Sequence, residues 1–133
     1  MQESTNFQVY NASAGSGKTF TLVKEYLKIL LRSENIFHFQ NVLAITFTNK
    51  AAAEMKARIL EFLKRIALAQ MEGVELEEIL DSTNIKPEEA KALSFSIMDA
   101  LIHHFNFFQV QTIDKFINAM LSGCAFKMGL TAN

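Results

Sequence analysis

The sequence predicts an α/β fold in which parallel strands are surrounded by helices and interrupted by a helical insertion. Three observations carry that prediction. A small-residue loop, ASAGSG, stands between a β-prone segment and a long segment of helical period. The run 41–47 (NVLAITF) is apolar and rich in β-branched residues, as in a strand buried on both faces. The elements also alternate as strand, helix, strand, helix, the order that right-handed crossovers produce in a parallel sheet.

Each element has its own signal. Residues 7–11 (FQVYN) are short and β-prone. From residue 17 to 32, Phe20, Val23, Leu27, Leu30 and Leu31 recur at helical spacing, and Leu22, Tyr26 and Ile29 widen that stripe. Ser33, Glu34 and Asn35 mark its end. After the 41–47 strand, Thr48 and Asn49 are capping residue types, and 50–69 resumes helical period through Ala52, Met55, Ile59, Phe62, Leu63 and Ile66. The stretch of about 70–106 forms the insertion. It opens with a short acidic helix carrying Glu72, Glu75, Glu77, Glu78 and Asp81. A second helix follows, started by Pro87 with Glu88 and Glu89 in its first turn and continued by Leu93, Ile97, Leu101 and Phe105. Residues 107–111 (FFQVQ) predict a third strand, Thr112 a cap, and 113–122 a helix closed by Gly123.

Composition bounds the function. The chain has 133 residues, 50% of them hydrophobic and 20% charged, which excludes a disordered tail. Thirteen Lys and Arg against fourteen Asp and Glu give a net charge of −1, so nucleic acid would have to be held by a local groove rather than by bulk charge. Cys124 is the single cysteine and has no internal disulfide partner, which fits a reducing compartment. The N-terminal MQESTNFQ lacks the basic and apolar regions of a signal peptide. Apolar runs stay far below the ~20 residues that span a bilayer. A cytoplasmic protein without membrane partners is the expectation.

The strongest chemical signal is Ala12, Ser13, Ala14, Gly15, Ser16, Gly17, Lys18 and Thr19 between predicted strand and predicted helix. Gly15 and Gly17 let the backbone approach a phosphate closely, successive N–H groups form an anion nest, and the following helix adds its N-terminal partial charge. Lys18 is placed to reach the outer phosphates and serve as the catalytic cation, and the Thr19 hydroxyl to bind Mg²⁺. Phe20 follows directly. The general pattern has Gly where this chain has Ala12. Asp99 follows Phe95, Ser96, Ile97 and Met98, a mostly apolar run, as a metal-binding acid would, but its neighbours keep helical period from 90 to 105, so it is read as a helix residue.

Three segments in fixed order, ASAGSGKTFTL, LAITFTNKAAAEMKARI and VQTIDKFINAML, resemble the beginning of the UvrD/Rep-type superfamily 1 DNA helicases. The wording is closest to the RecB/AddA helicase–nuclease branch. The resemblance implies a partial RecA-like P-loop NTPase motor domain, with residues 1–133 forming the N-terminal part of motor domain 1A. Residues 12–20 would hold ATP with Mg²⁺. Phe47, Thr48, Asn49 and Lys50 in one strand-to-helix turn, and Thr112, Ile113, Asp114 and Lys115 in another, would contact DNA. Asp114 stands where the family more often has His, and Lys115 where it has Ser. Lys56 and Arg58 would add local positive charge.

The same resemblance implies ATP-driven translocation on single-stranded DNA and unwinding at duplex junctions, in repair or recombination. The partners would be the remaining helicase domains and a nuclease or recombination subunit. The acidic Mg²⁺ motif, the arginine fingers and the second motor domain are not in these residues. The expectation is therefore a segment that binds nucleotide without efficient turnover, and that is marginally stable or prone to associate. A non-catalytic nucleic-acid- or protein-binding relic of the fold is the alternative. A small P-loop phosphotransferase is weaker, because only Arg32, Arg58 and Arg65 could serve its phosphate. His103, His104 and His38 lack the spacing of a metal site, Cys124 lacks the neighbours of a nucleophile, and Met55, Met98 and Met120 read as packing residues.

Overall fold

A computed structural model describes residues 18–129, with backbone only for residues 18 and 19. Helix α1 (Lys18–Arg32) leads through a 3₁₀ turn at His38–Asn41 to strand β1 (Ala44–Thr46). Helix α2 (Asn49–Ala67) follows, then the short acidic α3 (Val74–Leu80) and α4 (Pro87–His103). A second 3₁₀ turn at Phe105–Phe107 enters strand β2 (Val110–Thr112), and α5 (Ile113–Lys127) ends the described chain. The two strands pair in parallel, with Ala44 opposite Val110, Ile45 opposite Gln111 and Thr46 opposite Thr112. The β-prone 7–11 segment lies outside the described residues.

The core sits where α1, α2 and α4 pack together. Helix α2 buries Ala52, Met55, Ile59, Phe62, Leu63 and Ile66, the stripe its period predicts. Val23, Tyr26, Leu27, Leu30 and Leu31 of α1 and Ile97, Ala100 and Leu101 of α4 close on it, with Phe39, Phe108 and Val110 at the sheet end. Helix α4 thus supplies core to the strand–helix scaffold, although it belongs to the segment read as an insertion. Its start follows the sequence signals: Pro87 is the first helical residue and the Lys86 N–H donates to Glu89 at 3.3 Å. The acidic α3 is tied inward by Lys24–Glu78 at 2.7 Å and Arg65–Glu75 at 3.3 Å. Gly73, just before α3, has φ 71°, a conformation that a side chain would strain.

Several expectations need correction. The strand expected at 41–47 covers only 44–46. Asn41 closes a 3₁₀ turn, and Leu43 and Ile45 are exposed, so one face of β1 is open rather than buried. Leu22 and Ile29 of α1 are also exposed, so the helix is covered on one side only. The strand expected at 107–111 begins at Val110. Helix α4 stops at His103, where His104 takes φ −124° and ψ 40° and turns the chain into 3₁₀ geometry. Phe105 and Phe107 are consequently half-exposed rather than a helix stripe and a strand. Gly123 does not end α5, which continues to Lys127; the positive-φ glycine after the helix is Gly129. A helix-interior glycine costs only about 1 kcal/mol against Ala, which the flanking turns absorb. No residue of α5 is buried, so Met120 is exposed rather than packed.

Candidate functional site

The parallel register brings the two candidate DNA-contacting turns together. Thr46 and Thr112 are paired at the carboxyl ends of β1 and β2, and each strand runs almost directly into a helix. Crevices outside the carboxyl ends of parallel strands are the usual ligand positions of α/β folds. Thr48 caps α2 by accepting the Ala51 N–H at 3.0 Å, and Thr112 caps α5 by accepting the Lys115 N–H at 3.2 Å. The Thr46 hydroxyl donates to the Thr48 carbonyl at 3.2 Å and fixes the turn between them. Two helix N-termini therefore start side by side, each with free N–H groups and partial positive charge suited to phosphate.

The named residues divide by exposure. Phe47 is 88% exposed, so its ring is a free face rather than core. Thr48, Asn49, Lys50, Ile113, Asp114 and Lys115 are exposed as well, whereas Thr112 is buried. Asn49, Thr112 and Lys115 share a cavity of about 640 Å³ with Lys56 and Phe105. Lys56 is half-buried, its ammonium 5.1 Å from the Phe105 ring centre and 5.9 Å from that of Phe108. Burial, and then the Lys115 ammonium, push its pKa below the ordinary lysine value. Arg58 is exposed on the outer face of α2.

The phosphate-loop residues Ala12, Ser13, Ala14, Gly15, Ser16 and Gly17 lie outside the described residues, as do the side chains of Lys18 and Thr19, whose backbone opens α1. Phe20 is described: its ring packs on Phe62 at 5.6 Å under the Lys24 ammonium at 4.6 Å. It anchors the start of α1 to α2. Asp99 is exposed on α4, as its helical reading expects. His103 Nδ1 lies 2.8 Å from the Asp99 carbonyl, whereas His104 packs edge-on against Phe37 at 5.5 Å. Cys124 is exposed on α5.

Sequence reasoning missed Phe105 as a site residue, because its i, i+4 spacing from Leu101 read as core. The warning available was the pair His103–His104, two poor helix formers ahead of FNFF.

Comparison with known proteins agrees with the resemblance in the sequence. The family model for the UvrD/REP helicase N-terminal domain matches residues 2–133. A stretch of 57 residues, 43% of this chain and 5% of the relative, is 47% identical to an ATP-dependent helicase/nuclease subunit of Bacillus mycoides. The protein of the same name in Bacillus cytotoxicus is 38% identical over 73 residues, 55% of this chain and 6% of that protein. The chain thus spans about one twentieth of the length of these curated relatives. No solved structure matches. Because the family match runs over residues 2–133, nearly the whole chain, the chain belongs to the UvrD/REP helicase N-terminal domain family.

Proposed function

We propose that this chain is the ATP-binding and DNA-contacting start of a RecA-like motor domain in an ATP-dependent DNA helicase. The motor would translocate on single-stranded DNA and unwind duplex in repair or recombination, in the cytoplasm, alongside further helicase domains and a nuclease or recombination subunit. The observation that carries the reading is the pairing of Thr46 with Thr112, which sets two capped helix N-termini at the carboxyl end of the sheet. Phosphate donors there need no net positive charge, which suits a chain of net charge −1. Among the described residues, no helix is long and apolar enough to cross a membrane.

The donor set of residues 12–19 suits a triphosphate with Mg²⁺: consecutive backbone N–H groups, the Lys18 ammonium and the Thr19 hydroxyl, running into a helix of 15 residues that Lys18 opens. Lys18 would hold the outer phosphates and Thr19 the metal. When bound, the nucleotide supplies the free energy that a motor converts to movement. The residues of this chain bind and orient it, and this segment alone is expected to turn over little or none.

The test is titration of a fluorescent ATP analogue with Mg²⁺, with and without oligo-dT, on wild type and Lys18→Ala. Saturable binding that the substitution removes supports the reading. Unchanged affinity in Lys18→Ala rules out the role given to Lys18.

A further inference from the structure

The crevice beside the two turns continues between α2 and α5, beyond the turn residues themselves. Two adjoining cavities of about 640 and 580 Å³ share Lys56, Phe105, Val110, Gln111 and Lys115. Asn49 lines the end near the turns. Lys56 is about two helical turns further on, roughly 10 Å along the axis of α2. No Asp or Glu lines either cavity among the described residues, and no ion pair among them engages Lys56 or Lys115. Two ammonium groups thus face one groove with no negative group to balance them, a repulsion that an entering anion relieves. Beneath Lys56 lies the ring of Phe105, 46% exposed, and Gln111 adds a neutral polar group.

We propose that this groove is a nucleotide subsite for single-stranded DNA, in which Lys56 and Lys115 hold a backbone phosphate and Phe105 supports the adjoining base. The inference rests on the DNA-contacting reading above and extends the strand's path from the two turns along α2. A cation for the phosphate and a π-face for the base are the two elements that sequence-tolerant single-strand sites combine. Phe105 stands outside both strand-to-helix turns, before β2 rather than after it, and Lys56 lies well inside α2.

The test is anisotropy titration of fluorescein-labelled oligo-dT across a salt series, on wild type, Lys56→Met, Lys56→Arg, Lys115→Gln, Phe105→Leu and Phe47→Ala. Lys56→Met keeps the aliphatic stem over the two rings, and Lys115→Gln changes an exposed position, so at least one charge-removing variant keeps its fold; thermal melts verify this. The expected loss is about five-fold for each charge removed, the upper end for a partly exposed ion pair. The slope of log affinity against log salt falls by about 0.7 when Lys56→Met and Lys115→Gln are combined, because the one phosphate is then no longer neutralised. Lys56→Arg keeps both affinity and slope, and Phe105→Leu weakens binding without changing the slope. If Phe47→Ala weakens binding while Lys56→Met and Lys115→Gln leave affinity and slope at wild type, the subsite is wrong and the DNA reading stands. No oligonucleotide binding by the wild-type chain overturns both.

Discussion

Thr48 and Thr112 do the same local work one strand apart: each hydroxyl accepts the N–H three residues on, at 3.0 Å for Thr48 and 3.2 Å for Thr112. The environments differ, because Thr48 is exposed and Thr112 is buried at the end of β2. A hydroxyl that accepts at a cap still has its own O–H to donate. At Thr48 that donor faces solvent, where a phosphate can reach it.

Capping and DNA contact can therefore be separated at Thr48. Thr48→Ala loses the cap and should cost about 1 kcal/mol of stability. Thr48→Asp keeps an oxygen acceptor and suits the helix dipole, so stability should stay within about 0.5 kcal/mol of wild type. The new carboxylate repels phosphate, and oligo-dT affinity should fall at least as far as in Thr48→Ala. Urea melts with anisotropy titrations make the comparison; full oligonucleotide affinity in Thr48→Asp would remove Thr48 from the DNA path.

Phe47 is the clearest candidate for base stacking, because 88% exposure leaves its ring almost without packing to lose. Phe47→Ala should change stability by no more than about 0.5 kcal/mol. Its cost to oligo-dT binding should be about 1–3 kcal/mol, the range for a base stacked on an aromatic ring. A large drop in melting temperature with intact DNA affinity would return Phe47 to a structural role.

The helix starts and their N-caps were legible because their signals are local, whereas the ends of α4 and α5 were not. The buried stripe of α2, the Thr48 and Thr112 caps and the Pro87 start each follow from residues within a few positions of one another. The strand limits were not legible, since a run such as NVLAITF looks alike whether both faces are covered or one. Ile45 stays 42% exposed on β1, a partial cover that no nearby residue encodes. The groove between α2 and α5 was missed for the same reason. Lys56 and Lys115 lie far apart in the chain, and only the parallel register of β1 and β2 makes them neighbours. The phosphate loop is the reverse case, fully written in consecutive residues 12–19 and lying almost wholly outside the described structure.

Tyr26 offers a test of the core. Its side chain is 3% exposed, its ring packs on Phe108 at 5.9 Å, and its hydroxyl has no hydrogen-bond partner among the described residues. Burial raises its pKa well above the ordinary 10.0. Because the folded state favours the neutral phenol, its contribution is intact below the unfolded value and is lost as pH climbs from about 10. Tyr26→Phe removes an unsatisfied buried group, so stability at neutral pH should rise by about 1 kcal/mol. The variant should also lose less stability than wild type between pH 9 and roughly 11. A destabilised Tyr26→Phe would reveal a partner for the hydroxyl.

Helix α5 should behave differently from α2 under the same kind of substitution. Ile59 and Leu63 of α2 are fully buried, so truncating either to Ala should cost about 2–5 kcal/mol. Ile117, Met120 and Leu121 of α5 are between 44% and 62% exposed. Ile117→Ala or Leu121→Ala should therefore cost no more than about 0.5 kcal/mol. Their i, i+3, i+4 spacing makes a continuous apolar stripe facing solvent, which favours association of the chain with itself as concentration rises. Light scattering of wild type and the double variant Ile117→Lys, Leu121→Glu reads this directly. Association in wild type and a monomer in the variant is the expected pair of results, because only the variant replaces the stripe with charge. A wild-type chain that stays monomeric at high concentration would show that the stripe is too short to drive assembly.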